Sequence, residues 1–278
     1  MKCVRWLFDF FFAGCLAASA FALDVYVETN YMNQPDLRPY GVKKLGGHPP
    51  FGAGMLYEGN LWAAGQDKNL LPSKNRLTNF TNAIFGVDYK GLLVIDLETW
   101  PLYGKSDAIV NTYLDKYLTL LGWVKELAPG AKVGYYGKPP TSNWSAPQQG
   151  EASLLYNDWQ VKNAKIASLA AAVDAFFPSI YTYSAKDSAW VNYATAMVKE
   201  TRRYGTGKKI YPVINPEYGF KSALQFDLIP EASVLLQLKT LKNLGVDGVI
   251  IWAWGSQNTP WNANLPWWQA TLKFLGSQ

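Results

Sequence analysis

The chain has 278 residues, enough for one large domain or two small ones with a full hydrophobic core. Hydrophobic residues make up 49% and charged residues 17%, which excludes a disordered chain, and the net charge of +5 is spread too evenly for a nucleic-acid binder. A single His, at position 48, excludes a multi-histidine metal site, while 12 Trp, 17 Tyr and 13 Phe make the chain unusually aromatic.

The first residues read as an export signal. Lys2 and Arg5 form a positive start, Trp6 to Ala18 is mostly apolar apart from Asp9, and Ala18-Ser19-Ala20 offers a small-x-small cleavage site, with Ala20-Phe21-Ala22 as a second. The expectation is a leader over residues 1–20 and one domain over 21–278, secreted or periplasmic. Cys3 and Cys15 both fall in the leader, so the mature chain would have no disulfide, thiolate site or Cys nucleophile. Alternatively, Phe12-Ala13-Gly14-Cys15 loosely resembles a bacterial lipobox, which would anchor the chain through a lipid on Cys15. No later run is apolar for long enough to span a bilayer.

After the leader, β-type runs alternate with helical ones. Strands are expected over Asp24 to Thr29 and, more weakly, Phe51 to Tyr57, then over Gly91 to Ile95. A helix follows from Asp107 to Leu127, with Val110, Tyr113, Leu114, Tyr117, Leu118, Leu121 and Val124 on its inner face. Further strands are expected over Lys132 to Tyr136, Phe176 to Thr182, Ile210 to Ile214 and Val249 to Trp252. Between them, Trp190, Tyr193, Ala194, Met197 and Val198 mark one helix, and Val234, Leu238 and Leu241 another, opened by Pro230 and closed by Gly245. Strands apolar on both faces, alternating with helices, indicate the α/β class and a closed (β/α) TIM-like barrel. A doubly wound open sheet is the runner-up, but no strand leads into a G-x-G-x-x-G turn. The Gly46 to Gly54 segment also lacks the Walker spacing, so no nucleotide cofactor is implied. Loops rich in Pro and Trp are expected at Tyr31 to Pro50, Pro139 to Gly150 and Gly255 to Trp268, and the last two follow strands, where barrels build their active sites.

The sharpest candidate for chemistry is GLLVIDLETW, Gly91 to Trp100. Alternation in a strand puts Val94, Asp96 and Glu98 on one face and Leu93, Ile95 and Leu97 on the other. Two carboxyls then sit side by side at a strand's C-terminal end. They cannot both ionise easily, so one pKa should rise. A carboxylic acid still protonated near neutral pH is what a glycosidase uses to protonate a leaving oxygen. A helix N-cap or a surface salt bridge is the blander reading of the same pair. Aromatic residues end other strands: Tyr135 and Tyr136, Tyr181 and Tyr183, and Trp252 and Trp254. Converging on one barrel face, such rings would bury the apolar faces of sugars.

Five segments in this order resemble the hyaluronidase family of glycoside hydrolases: VIDLETW (Val94 to Trp100), VGYYGKP (Val133 to Pro139), FPSIYTY (Phe177 to Tyr183), KKIYPVINPEY (Lys208 to Tyr218) and LGVDGVIIWAWGS (Leu244 to Ser256). The resemblance implies a distorted barrel of about seven strands. It implies Glu98 as general acid/base and Asp96 as the carboxylate that orients the substrate acetamido group. Tyr136 and Tyr181 would line the −1 sugar site, and Trp252 would shape it. The implied mechanism is substrate-assisted: the acetamido oxygen attacks, and neither an enzyme nucleophile nor a cofactor or metal is needed. The family's cysteines are absent, its Gly-Ser-Ser-Asp-type sequence is replaced by Ala253-Trp254-Gly255-Ser256, and Glu28 adds a third carboxylate near the site. A chitinase D-x-x-D-x-D-x-E pattern would need Asp at positions occupied by Gly91 and Val94, and the adjacent Asp-Glu of β-hexosaminidases is also missing. The expectation is an exported, monomeric endo-glycosidase acting on an N-acetylhexosamine polysaccharide. A non-catalytic glycan-binding barrel, and a conventional retaining glycosidase pairing Glu98 with Glu217 about 5 Å away, are the alternatives.

Overall fold

The computed structural model describes residues 22–46, 54–86, 88–220, 222–253 and 258–278. The leader, Cys15, Trp254 and most of the Gly46 to Gly54 segment lie outside the described residues.

In chain order, strand β1 (Asp24–Glu28) is followed by β2 (Met55–Tyr57), the short α1 (Glu58–Leu61) and α2 (Lys74–Ile84). Next come β3 (Leu92–Asp96), α3 (Asp107–Leu127) and β4 (Lys132–Tyr135), then α4 (Ser145–Gln148), α5 (Leu154–Ala164) and α6 (Ala167–Ala172). The chain continues through β5 (Ala175–Phe176), α7 (Asp187–Arg203), β6 (Lys209–Ile210), β7 (Val213–Ile214), α8 (Glu231–Asn243), β8 (Gly248–Trp252) and α9 (Pro266–Leu275). No described helix is long and apolar enough to cross a membrane.

All strand pairs are parallel, as the α/β reading requires. The ladders form three groups, β1-β8-β7, β2-β3-β4 and β5-β6. Single parallel bridges join Tyr136 to Phe177 and Ser179 to Val213. On the free edge of β1, Val27 N–H donates to the Lys43 carbonyl at 2.9 Å and Lys43 N–H to Val25 at 2.7 Å. Among the described residues no ladder joins this Lys43 segment to β2, so their pairing does not close a full ring. At that gap a side chain takes over: Glu28 accepts the backbone N–H groups of Leu45 and Gly54.

Two cores explain why each strand is apolar on both faces. An inner cluster gathers Met55, Leu92, Val94, Ala175, Phe177, Tyr211, Val213 and Ile250, drawn from or beside most of the strands. The larger outer cluster packs the opposite faces, such as Leu93, Ile95 and Leu97, against the helices. Gly134 is required where β4 and β5 converge, since a Cβ there would lie 2.3 Å from the Ala175 carbonyl.

Several expectations change in detail. The Ile210 to Ile214 run is two strands, β6 and β7, which pair with different partners. Likewise only Ala175–Phe176 of the Phe176 to Thr182 region is regular strand. Pro178 and Pro212 interrupt these runs because proline donates no ladder hydrogen bond. The α3 boundaries are those expected, and its buried residues are Val110, Leu114, Tyr117, Leu120, Leu121 and Val124. The Gly255 to Trp268 region is not loop to its end, because α9 starts at Pro266. Its Trp267 and Trp268 pack with Trp261, Tyr31 and Tyr40. Much of the tryptophan excess therefore serves this outer core.

Candidate active site

A cavity of about 410 Å³ opens at the C-terminal ends of the strands, a volume typical of small-ligand clefts. Asp96 and Glu98 enter it from the end of β3, and Tyr136, Tyr181, Tyr183 and Trp252 line it from the ends of other strands. Six of the eight candidate residues are thus brought together. Their convergence follows from strand parity: Val94 lies in the inner cluster, so Asp96 and Glu98 continue its face.

The two acids differ in setting. Glu98 is exposed, whereas Asp96 is mostly enclosed and its Oδ1 is buried without a hydrogen-bond partner. Burial, and then the neighbouring Glu98, raise the Asp96 pKa to about 7, while Lys138 opposes the shift. The expected rise is therefore found at Asp96.

The aromatic wall is ordered. The Tyr181 and Trp252 rings stack with centroids 6.3 Å apart and planes within 6° of parallel. Tyr136 lies 5.9 Å from Tyr181, and its hydroxyl is 2.9 Å from Ser179 Oγ. The Trp252 indole N–H donates to the Tyr57 hydroxyl at 2.8 Å. Burial raises the pKa of Tyr136, Tyr181 and Tyr183, so their hydroxyls stay protonated.

Three acids or aromatics of interest lie elsewhere. Glu28 does not line the cavity, since both its oxygens are occupied by the backbone N–H groups at the β1–β2 gap, and burial raises its pKa to about 7. Glu217 also does not line it, which leaves a Glu98–Glu217 pair without support. Tyr135 points outward, packing 4.8 Å from the Tyr117 ring and donating to the Tyr117 carbonyl. Adjacent strand residues face opposite ways, so Tyr135 and Tyr136 cannot share a cleft. Trp254 is outside the described residues.

Sequence reasoning missed three contributions. Asn215, two residues after Val213 on the same face, lines the cavity. Tyr218, Gly219, Phe220 and Phe226 line it from the segment between β7 and α8. Finally, charged groups brace the turn that carries the acids. Glu58 Oε2 accepts the N–H groups of Glu98 at 3.1 Å and Thr99 at 2.9 Å. Lys138 Nζ donates to the Leu97 carbonyl at 2.7 Å. Burial works against the Glu58 charge, but Lys68 and the Thr99 and Glu98 hydrogen bonds outweigh it and hold its pKa at about 2. Burial also lowers the Lys138 pKa, opposed by Glu98, Asp96 and Glu58. Among the described residues no group of three His, Cys, Asp or Glu is placed to hold a metal ion.

No protein-family model matches the chain, and no curated protein matches it. Solved structures do. Bee venom hyaluronidase superposes with a TM-score of 0.63 at 16% identity, over 91% of this chain and 96% of that one. The same bee venom enzyme in complex with a hyaluronic acid tetramer gives 0.64 at 16% identity, over 91% and 95%. At this identity the likeness is one of fold: the chain has the fold of a known glycoside hydrolase along nearly its whole length.

Proposed function

We propose that the chain is a glycoside hydrolase that cleaves an N-acetylhexosamine-containing polysaccharide internally. The observation that carries this reading is the carboxylate pair. Asp96 keeps a buried oxygen with no partner beside the exposed Glu98, within one aromatic cavity. A buried acceptor left open calls for a donor from the ligand, because an unmade hydrogen bond there is costly. An acetamido N–H is such a donor.

In this reading Glu98 protonates the glycosidic oxygen. The substrate's acetamido oxygen attacks the anomeric carbon as the leaving group departs, and an oxazolinium ion forms. Asp96 accepts the acetamido N–H and offsets the developing positive charge. Water, deprotonated by Glu98, then opens the ring with overall retention. Tyr181 directs the acetamido oxygen, and Trp252 and Tyr136 shape the pocket around the sugar. A distorted (β/α) barrel accords with the inner core shared among the strands and with the fold likeness. The reading also takes residues 1–20 as an export signal, cut to give a monomeric exported domain, which N-terminal sequencing and sedimentation test directly.

The test is a screen of hyaluronan, chondroitin, chitin and bacterial exopolysaccharides for new reducing ends. Glu98→Gln should lose at least ~10²-fold in turnover while still binding the glycan. Binding without cleavage by the unaltered chain, across every polymer, would instead favour a non-catalytic glycan-binding barrel.

A further inference from the structure

Between β7 and α8, residues 216–218 pair with 226–229 as a small hairpin. Tyr218 N–H donates to Asp227 and Phe226 N–H to Tyr218, both at 3.0 Å, and Ile229 N–H donates to Pro216 at 2.8 Å. An antiparallel bridge pairs Glu217 with Leu228. Its base is pinned to the strand end beside Tyr183: Gly219 N–H donates to the Thr182 carbonyl at 2.7 Å, and a Cβ at Gly219 would come within 2.7 Å of the Tyr183 ring.

This hairpin presents two phenylalanines where folding gives no reason for them. Phe220 is 67% and Phe226 51% exposed, their rings 6.2 Å apart, and both line the cavity that holds Asp96 and Glu98. Phe226 also sits at φ +70°, a left-handed conformation that is costly for a bulky residue and belongs to glycine or asparagine by preference. Backbone strain kept for an exposed apolar side chain is a mark of a binding surface.

We propose that Phe220 and Phe226 form a second sugar-binding platform, which holds a neighbouring residue of the polysaccharide while Asp96 and Glu98 act on the bond beside it. This rests on the glycosidase reading above and adds to it an extended, chain-spanning cleft. Phenylalanine offers no donor or acceptor, so the platform recognises an apolar sugar face. Pyranoses with equatorial linkages, as in β-linked chains, carry axial C–H groups on both faces and suit it. A sugar over Asp96 and Glu98 and a second on the hairpin require at least two successive sugars, so a monosaccharide should gain nothing from the hairpin.

Binding is measured by calorimetry on the Glu98→Gln chain, with N-acetylglucosamine and N-acetylgalactosamine as single sugars, and chitin, hyaluronan and chondroitin oligosaccharides of six or more sugars, as probes. Adding Phe220→Ala and Phe226→Ala together should weaken binding of the oligosaccharides on the order of 10- to 100-fold and leave that of the single sugars unchanged. Phe226→Gly gives a second readout. It relieves the left-handed strain, so the unfolding temperature should hold or rise while long-chain affinity falls. Affinity and stability falling together would assign the rings a structural role and overturn the platform. So would unchanged affinity for long chains, or loss of self-association in place of glycan binding. If the Glu98→Gln chain binds none of the probes before the hairpin is altered, the glycosidase reading itself fails and the platform with it.

Discussion

Glu58 holds Glu98 by its backbone: one carboxylate oxygen of Glu58 accepts the Glu98 N–H at 3.1 Å, 40 residues away in sequence. The same oxygen takes the Thr99 N–H, and the other oxygen pairs with Lys68 at 2.5 Å. From the far side, the Tyr117 hydroxyl shares its one proton between the carbonyls of Leu97 at 3.1 Å and Trp100 at 2.9 Å. The turn bearing the proposed acid is therefore fixed at both its donors and its acceptors, as precise catalysis requires.

Glu58→Ala should accordingly lower kcat about tenfold or more with little change in KM, because it loosens the acid without touching the glycan. Two N–H groups lose their acceptor, so stability should fall by roughly 1–3 kcal/mol. Steady-state kinetics beside a urea melt check both. A rise in KM alone would place Glu58 in substrate binding.

The pH profile should report Asp96. Burial, and then the neighbouring Glu98, raise its pKa from 3.8 to about 7. Offsetting the oxazolinium charge requires the Asp96 carboxylate, which is present above about pH 7 and protonated below it. The kcat/KM profile should therefore fall on the acid side of about pH 7. Asp96→Asn cannot titrate, so this acid limb should vanish from its residual activity. An acid limb unmoved by that substitution would assign it to another group.

Glu28 should act on stability. Its pKa rises from 4.5 to about 7 on folding because burial penalises the charge. The folded chain thus binds this proton more tightly than the unfolded chain. Its stabilising effect is full below about pH 4.5 and is lost as pH rises through about 7. Urea melts from pH 5 to pH 8 should show a decline of up to ~3 kcal/mol from this group, with Asp96 acting in the same window. Glu28→Gln cannot ionise, so the decline should shrink. The variant should also be less stable at pH 5, since an amide cannot accept from both Leu45 and Gly54 at once.

What the sequence revealed and what it hid follow a physical pattern. Face alternation along Leu92–Asp96 depends only on neighbours in the chain, so the pairing of Asp96 with Glu98 was legible. So was α3, whose apolar spacing is local. Glu58 and Lys138 were not, because their link to the Asp96–Glu98 turn is visible only when segments about 40 residues apart meet. The hairpin with Phe220 and Phe226 was also hidden: its pairing is antiparallel and brief, with no periodic signal. Trp261, Trp267 and Trp268 misled for another reason. A tryptophan serves equally well as core and as sugar platform, and composition does not tell which.

The attacking atom in the proposed mechanism belongs to the substrate, and that makes three results stand or fall together. Stabilising the oxazolinium charge operates mainly in the transition state, so Asp96→Asn should cut turnover by ~10²-fold or more with little change in apparent affinity. Tyr181→Phe should act in the same direction, because the ring stacked on Trp252 is kept while the hydroxyl that aims the acetamido oxygen is lost. A thiazoline mimic of the oxazolinium should inhibit competitively. The decisive substrate is one whose acetyl groups have been removed. It keeps the sugar faces that Tyr181, Trp252 and the hairpin hold, so it should bind, yet it has no acetamido oxygen to attack and should not be cut. Efficient cleavage of that polymer would show that the nucleophile comes from elsewhere. With Glu217 not among the cavity's lining residues, a water activated by one of the two acids would then take its place, and the product would form with inversion, which its anomeric configuration would reveal directly by NMR.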